Sequence, residues 1–314
     1  IVNFGARLPP LCQKPQKIAP FLILLAGILW GTIGLFIRVL NDKGMESMDI
    51  VMVRAIVTAI LLFIYLFLYD KSLLKIRWKD LWCFLGTGLC SIVFFNYCYF
   101  KAITLTSLSI AAVLLYTAPA IVMVLSVLLF QEKVTAQKIV AIIATFLGCM
   151  FVTGIIGSAE GLNAVGILVG LGSGFGYALY SIFSRFALER GYHSLTISFY
   201  TFLLAMFGTF PFSSLSKIRM VCLQSPSMVV FCLIFGLFST VIPYIVYTTG
   251  LKEMENSKAS IIASIEPVTA TLMGVLLYHE RLKGLEALGV FLVIGSIIIS
   301  NIEWKRRTGM NPEN

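Results

Sequence analysis

The chain has 314 residues, of which 59% are hydrophobic and only 12% charged. A water-soluble domain carries roughly 25% charged residues, so the composition excludes a soluble globular protein and points to a membrane one. The formal net charge of +9 would by itself suit a nucleic-acid partner, but the placement of the basic residues gives it another cause.

Residues 1–17, with Pro9, Pro10 and Pro15 among basic side chains, read as a loose tail. The first apolar run, 18–40, is too long for a secretory-leader core and lacks a small-residue cleavage site, so it is expected to remain as a membrane span. Further runs follow at 48–69, 80–101, 107–130, 137–156, 162–184, 194–213, 226–250, 258–278 and 284–302. Each is close to the roughly 20 residues that cross a bilayer as a helix. The sixth run is rich in glycine and the seventh in polar residues. A basic tail, 303–314, closes the chain, and the links are too short for a separate soluble domain.

With the N-terminus placed in the cytoplasm, the inner segments hold Lys71, Lys75, Arg77, Lys79, Lys133, Lys138, Arg185, Arg190, Lys252, Lys258 and both basic tails. Few basic residues remain outside, Lys43, Lys101, Lys217 and Arg219 among them. That bias follows the positive-inside rule, so membrane orientation accounts for the charge and no nucleic acid is expected. The cysteines show no CxxC spacing and no paired set in the outer loops. Neither a metal site nor a disulfide framework is indicated.

A pattern is stated twice, about 148 residues apart. Tyr99, Ser109, Ala111, Pro119, Val127-Leu128-Leu129 and Glu132 recur as Tyr247, Ser257, Ala259, Pro267, Val275-Leu276-Leu277 and Glu280. The first copy is expected over 18–156 and the second over 157–302. Five helices per copy is an odd number, so the second copy starts on the opposite side of the membrane and the repeats are inverted. In the first helix of each copy, Gly27-Ile28-Leu29-Trp30-Gly31 matches Gly172-Ser173-Gly174-Phe175-Gly176. Such glycines let helix backbones approach closely.

Trp30-Gly31, Arg54, and Tyr116-Thr117-Ala118-Pro119 leading to Gln131-Glu132 resemble the EamA repeat of the drug/metabolite transporter superfamily. The second copy reads Ile265-Glu266-Pro267-Val268 and ends at His279-Glu280, with Phe175-Gly176 where Trp-Gly is the pattern. The resemblance implies an all-α membrane protein of ten transmembrane helices in two inverted five-helix repeats, both termini cytoplasmic, around a central cavity. It also implies transport of small metabolites, often outward.

Among candidate functional residues, Glu266 stands near the middle of the ninth run, directly before Pro267. A carboxylate at that depth costs about 2.5–3.5 kcal/mol on insertion scales, which makes function the default reading. Three roles are open: proton carrier, ionised partner of a cationic or zwitterionic substrate, or protonated glue between helices. Pro119 and Pro267 each remove a backbone hydrogen bond and serve either as hinges or as fixed kinks. Asn96 with Tyr99, and Tyr244 with Tyr247, are i,i+3 pairs at matching places in the third and eighth runs, and Trp30 and Tyr116 could join them. Their rings and hydroxyls suit an amine-bearing or aromatic substrate, or else core packing. Arg54 either snorkels to the surface or partners a substrate carboxylate at an outer gate. Glu132 and Glu280 are expected to bond nearby loop or helix N-termini.

No GxxxxGK[ST] phosphate loop, complete HExxH or GxSxG elbow is present. No catalytic residue, metal or cofactor is therefore expected. The expectation is a secondary transporter of a small polar metabolite (amino acid, amine or related compound), exporting across the plasma membrane by alternating access. The alternative is a flippase-type carrier of a lipid-linked metabolite. Expected partners are a small-molecule substrate, protons as coupling ion, and the lipid bilayer; a homo-oligomer stays open.

Overall fold

In hydrocarbon each backbone N–H and C=O must find its partner within the chain, so long apolar runs become helices. The computed structural model describes residues 18–155, 163–279 and 281–302. The two expected tails and Glu280 lie outside the described residues. Within them are the helices α1 (Ala19–Asp42), α2 (Ser47–Tyr69), α3 (Trp78–Leu105), α4 (Leu108–Phe130), α5 (Ala136–Val152), α6 (Ala164–Glu189), α7 (Ser194–Phe212), α8 (Pro226–Lys252), α9 (Asn256–Tyr278) and α10 (Gly284–Asn301). All but the shorter α5 are long and apolar enough to cross a membrane. A short amphipathic helix, Leu215–Cys222, joins α7 to α8. It brings the Cys222 thiol to 3.4 Å from that of Cys232, a proximity their spacing had not suggested.

The two five-helix repeats interlock. α1 packs on α8 and α9 of the second repeat, while α6 packs on α3 and α4 of the first. α5 and α10 hold equivalent places and run antiparallel, as inversion requires: Thr145 hydroxyl meets Ser296 at 2.7 Å, Gln137 Nε2 donates to the Ile302 carbonyl at 2.7 Å, and Gly148 faces Gly289. Among described non-glycine residues, positive φ occurs at Gln131 (57°) and His279 (53°), which end α4 and α9 at matching positions.

Glu132, just beyond α4, ties the repeats together. Its carboxylate accepts the backbone N–H of Asn256 at 2.7 Å and of Ser257 at 3.3 Å, as well as the Ser257 hydroxyl. It thus caps the first turn of α9, where unpaired N–H groups and the helix dipole favour an anion. Buried Lys138 completes the cluster, 3.4 Å from Glu132 and 3.2 Å from Glu255. On the opposite face, Glu46 before α2 pairs with Lys217, and the ammonium bonding it holds its carboxyl below the usual range.

Candidate functional site

α4 and α9 are each broken in two. α4 consists of Leu108–Leu115 and Ala118–Phe130, and α9 of Asn256–Ala263 and Ile265–Tyr278. The sequence places Pro119 and Pro267 at the breaks, but each proline lies in the first turn of the following segment. There its missing N–H would have had no partner anyway. The interruptions come just before, at Tyr116-Thr117 and at Ser264. At each break a hydroxyl bonds back to the preceding turn: Thr117 Oγ1 donates to the Leu114 carbonyl at 2.7 Å and Ser264 Oγ to that of Ser260 at 3.1 Å. The prolines therefore fix where each second segment begins, with no kink inside a continuous helix.

Close packing against each break comes from glycines of the other repeat. A Cβ at Gly27 would lie 2.9 Å from the Ala263 carbonyl oxygen, and one at Gly31 would lie 2.6 Å from that of Glu266. In α6, a Cβ at Gly174 would lie 2.8 Å from the Leu114 carbonyl oxygen, and Ala178 packs on Ala118 and Val122. Gly27 thus corresponds to Gly174, Gly31 to Ala178 and Trp30 to Tyr177. This corrects the expected match of Gly27–Gly31 with Gly172–Gly176 by two residues. Gly172 and Gly176 instead admit Phe94, Phe95 and Cys98 of α3. Alternate glycines in α6 allow both registers, and only the packing chooses between them.

The corrected register brings forward a residue that the sequence reading missed. Tyr177 donates its hydroxyl proton to Glu266 Oε2 at 3.3 Å. Its ring stands edge-on to Trp30, with centroids 6.4 Å apart, so the two equivalent aromatics of α1 and α6 meet. Trp30 also packs on Tyr244 at 5.1 Å and Tyr247 at 5.2 Å. On the other side Phe95 meets Tyr177 at 5.5 Å and Tyr99 at 6.1 Å. Tyr116 packs beside Ile265 and Val268. Glu266, Tyr177, Tyr99 and Tyr116 are all half-buried, and Tyr177 links the carboxyl of α9 to the aromatic cluster. The indole N–H of Trp30 is buried there with no acceptor among the described residues.

Not every predicted residue turns inward. Asn96 is buried and donates Nδ2 to the Ile92 carbonyl of its own helix at 2.7 Å. Ile92 lies in a π-helical stretch, Gly86–Val93, and α8 has a matching one at Leu237–Val241. A π turn shifts the backbone pairing, and a side chain takes a carbonyl in each. In α8 that side chain is Arg54, whose Nε donates to Thr240 Oγ1 at 3.0 Å and whose Nη2 donates to the Ser239 carbonyl at 3.3 Å. Arg54 is thus bonded inward across the repeats and does not snorkel. It also lies within electrostatic reach of Glu266. Tyr247 shares a 2.7 Å hydroxyl contact with Ser181, and Tyr180 shares one of 2.8 Å with Thr248, so these walls are tied in place.

The site combines one carboxyl group, a ring of aromatic faces, several hydroxyls and one unpaired indole N–H. Ala118 stands where Glu266 has its counterpart, so the pseudo-symmetric breaks carry one carboxylate between them. Such a set can hold a cation or an ammonium group against a carboxylate and π faces, or pass a proton. No group of three or more His, Cys, Asp or Glu among the described residues could hold a metal.

The EamA-like transporter family matches this chain twice, over residues 17–154 and 164–302. An uncharacterized transporter of Archaeoglobus fulgidus is 28% identical over 228 residues, covering 70% of this chain and 80% of its own. One from Clostridium kluyveri is 27% identical over 292 residues, covering 88% and 91%. The Bacillus subtilis uncharacterized transporter YxxF is 25% identical over 313 residues, covering 97% and 96%. A solved crystal structure superposes with a TM-score of 0.72 over 91% of this chain and 97% of that one, at 16% identity, a likeness of fold alone.

Proposed function

The chain belongs to the EamA-like transporter family, and we propose that it exports a small metabolite bearing an amino group across the plasma membrane. Amino acids and amines are the substrate class. The observation that carries this reading is the lone carboxyl of Glu266 at the α9 break, held by Tyr177, whose ring packs on Trp30. An ammonium group there would meet a carboxylate and the faces of Trp30 and Tyr99, contacts that gain strength away from water. The unpaired Trp30 N–H supplies a donor for a carboxylate or hydroxyl on the same substrate.

Alternating access fits the construction. α1 and α6 each lean on a broken helix of the other repeat, so rocking one repeat against the other moves both breaks about a fixed centre. Substrate or proton gradients supply the energy. Both termini face the cytoplasm, in line with the basic residues of the inner segments.

A ligand-induced thermal-stability screen of the purified protein tests the reading, with amino acids, amines, sugars and nucleotide metabolites applied to wild type and Glu266→Gln in parallel. Ligand at 100 times its Kd stabilises by about 2.7 kcal/mol. An amine or amino acid that stabilises wild type and not Glu266→Gln supports the proposal. Response only to sugars or nucleotide conjugates refutes the substrate class, and no response to any of these ligands favours the flippase reading instead.

A further inference from the structure

A cavity of about 480 Å³ that does not include Glu266 lies at the face where most basic residues gather. Its wall includes Lys75, Arg77, Arg190, His193 and Lys252, and no acidic residue lines it. We propose that this pocket binds a phosphate-bearing anion, with an anionic phospholipid headgroup as the source its position favours.

The pocket is built rather than incidental. Asp80, 6% exposed, lies behind the wall and holds Arg77 at 2.7 Å, Arg190 at 3.2 Å and the Tyr192 hydroxyl at 2.8 Å. The backbone N–H of Arg77 donates to Tyr192 Oη at 3.0 Å, and Thr196 and Tyr200 donate to the carbonyls of Leu73 and Leu74 at 2.8 Å and 2.6 Å. These bonds fasten the link between α2 and α3 onto the link between α6 and α7. One buried carboxylate thus positions two guanidinium groups, leaving Lys75 and Lys252 as further cations. Neither ammonium is engaged by a described residue in a hydrogen bond or ion pair. α7 begins at Ser194 on the cavity wall, and the positive end of a helix dipole adds to the field there.

Depth favours a lipid. Arg190 stacks on Trp82, 4.8 Å to the ring centroid, while Trp82 and Trp78 are 39% and 88% exposed. Exposed tryptophans of this kind sit at the membrane–water boundary, so the pocket opens at headgroup level. Basic pockets between helices at that level suit anionic headgroups.

The test uses delipidated full-length protein and the double variant Lys75→Gln/Lys252→Gln, which leaves the Asp80 network intact. Melting temperature and native mass spectra are recorded with phosphatidylglycerol, with phosphatidylcholine, and with inorganic phosphate alone. The expected result is stabilisation of wild type by phosphatidylglycerol beyond phosphatidylcholine, with phosphatidylglycerol binding weakened about tenfold or more in the variant. Stabilisation by inorganic phosphate without phosphatidylglycerol preference keeps the site and changes the source to a soluble phosphate. Equal response to both lipids with none to phosphate, or equal response of wild type and variant, overturns the proposal. If the variant fails to fold, competition on wild type decides. Loss of phosphatidylglycerol adducts as phosphate is added, against constant ionic strength, supports the site, and retention refutes it.

Discussion

Replacing Gly31 by alanine adds one methyl group where α1 crosses the α9 break. That Cβ would lie 2.5 Å from the Thr269 Cβ and 2.6 Å from the Glu266 carbonyl oxygen. Ordinary carbon contacts fall near 3.5–4.0 Å, so the added carbon intrudes by roughly 1 Å on two neighbours. One of them is backbone and has no rotamer to change. Overpacking of this kind costs about 1–3 kcal/mol, while alanine returns at most about 1 kcal/mol of helix propensity. The net expectation is a loss of about 1–2 kcal/mol, read as a fall of several degrees in melting temperature. The control is Gly295→Ala in α10, where nothing lies within 4 Å of the added Cβ. It gains the propensity alone and should melt at or above wild type. Because Gly31→Ala presses on the backbone of Glu266 itself, ligand-induced stabilisation should also shrink. A Gly31→Ala protein that melts with the Gly295→Ala control and responds fully to ligand would refute the packing argument.

Tyr177→Phe removes the hydroxyl that bonds Glu266 and leaves the ring against Trp30 and Phe95; folding should be nearly unchanged while ligand affinity drops by up to about tenfold, measured by titration calorimetry. Arg54→Gln strips two hydrogen bonds from the α8 π turn and should cost about 1.5–3 kcal/mol, with faster hydrogen exchange in residues 237–241; normal exchange there would count against the bracing role. Glu132→Ala uncaps α9, and loss of a cap costs about 1–2 kcal/mol. The amides of Asn256 and Ser257 should exchange faster than in Glu132→Gln, which keeps an acceptor oxygen.

The class and the repeat were legible because both rest on one-dimensional signals, run length and spacing. Lipid demands helices, and two copies of one unit leave the same letters at a fixed interval. The pairing of α1 with α6 was read two residues out, since Gly170, Gly172, Gly174 and Gly176 offer overlapping registers and only the approach of Gly174 to the carbonyls of Leu114 and Leu115 at the α4 break selects it. That slip concealed Tyr177, which lies 147 residues after Trp30; the 148-residue spacing of the later motifs lands one residue past it, on Ala178. The inward bonds of Arg54 were not legible, because the carbonyls it meets are exposed by π turns that no residue pattern announces. Asn96 shows the same limit: a buried amide needs partners, but the sequence could not say that its own helix supplies one. Glu132 was read correctly in kind, as a carboxylate that bonds a nearby loop or helix N-terminus, because its recurrence as Glu280 at the matching place in the second copy favours a shared structural job.

The most direct test of the central claim is counterflow of labelled amine or amino acid in proteoliposomes containing wild type, Glu266→Gln or Glu266→Asp, at equal incorporation. The account predicts saturable exchange by wild type, none above empty liposomes by Glu266→Gln, and partial exchange by Glu266→Asp, whose carboxylate is kept but withdrawn by one methylene. Exchange by Glu266→Gln at the wild-type rate and KM would contradict it, and would leave the carboxyl at the α9 break as a structural element with no part in handling substrate.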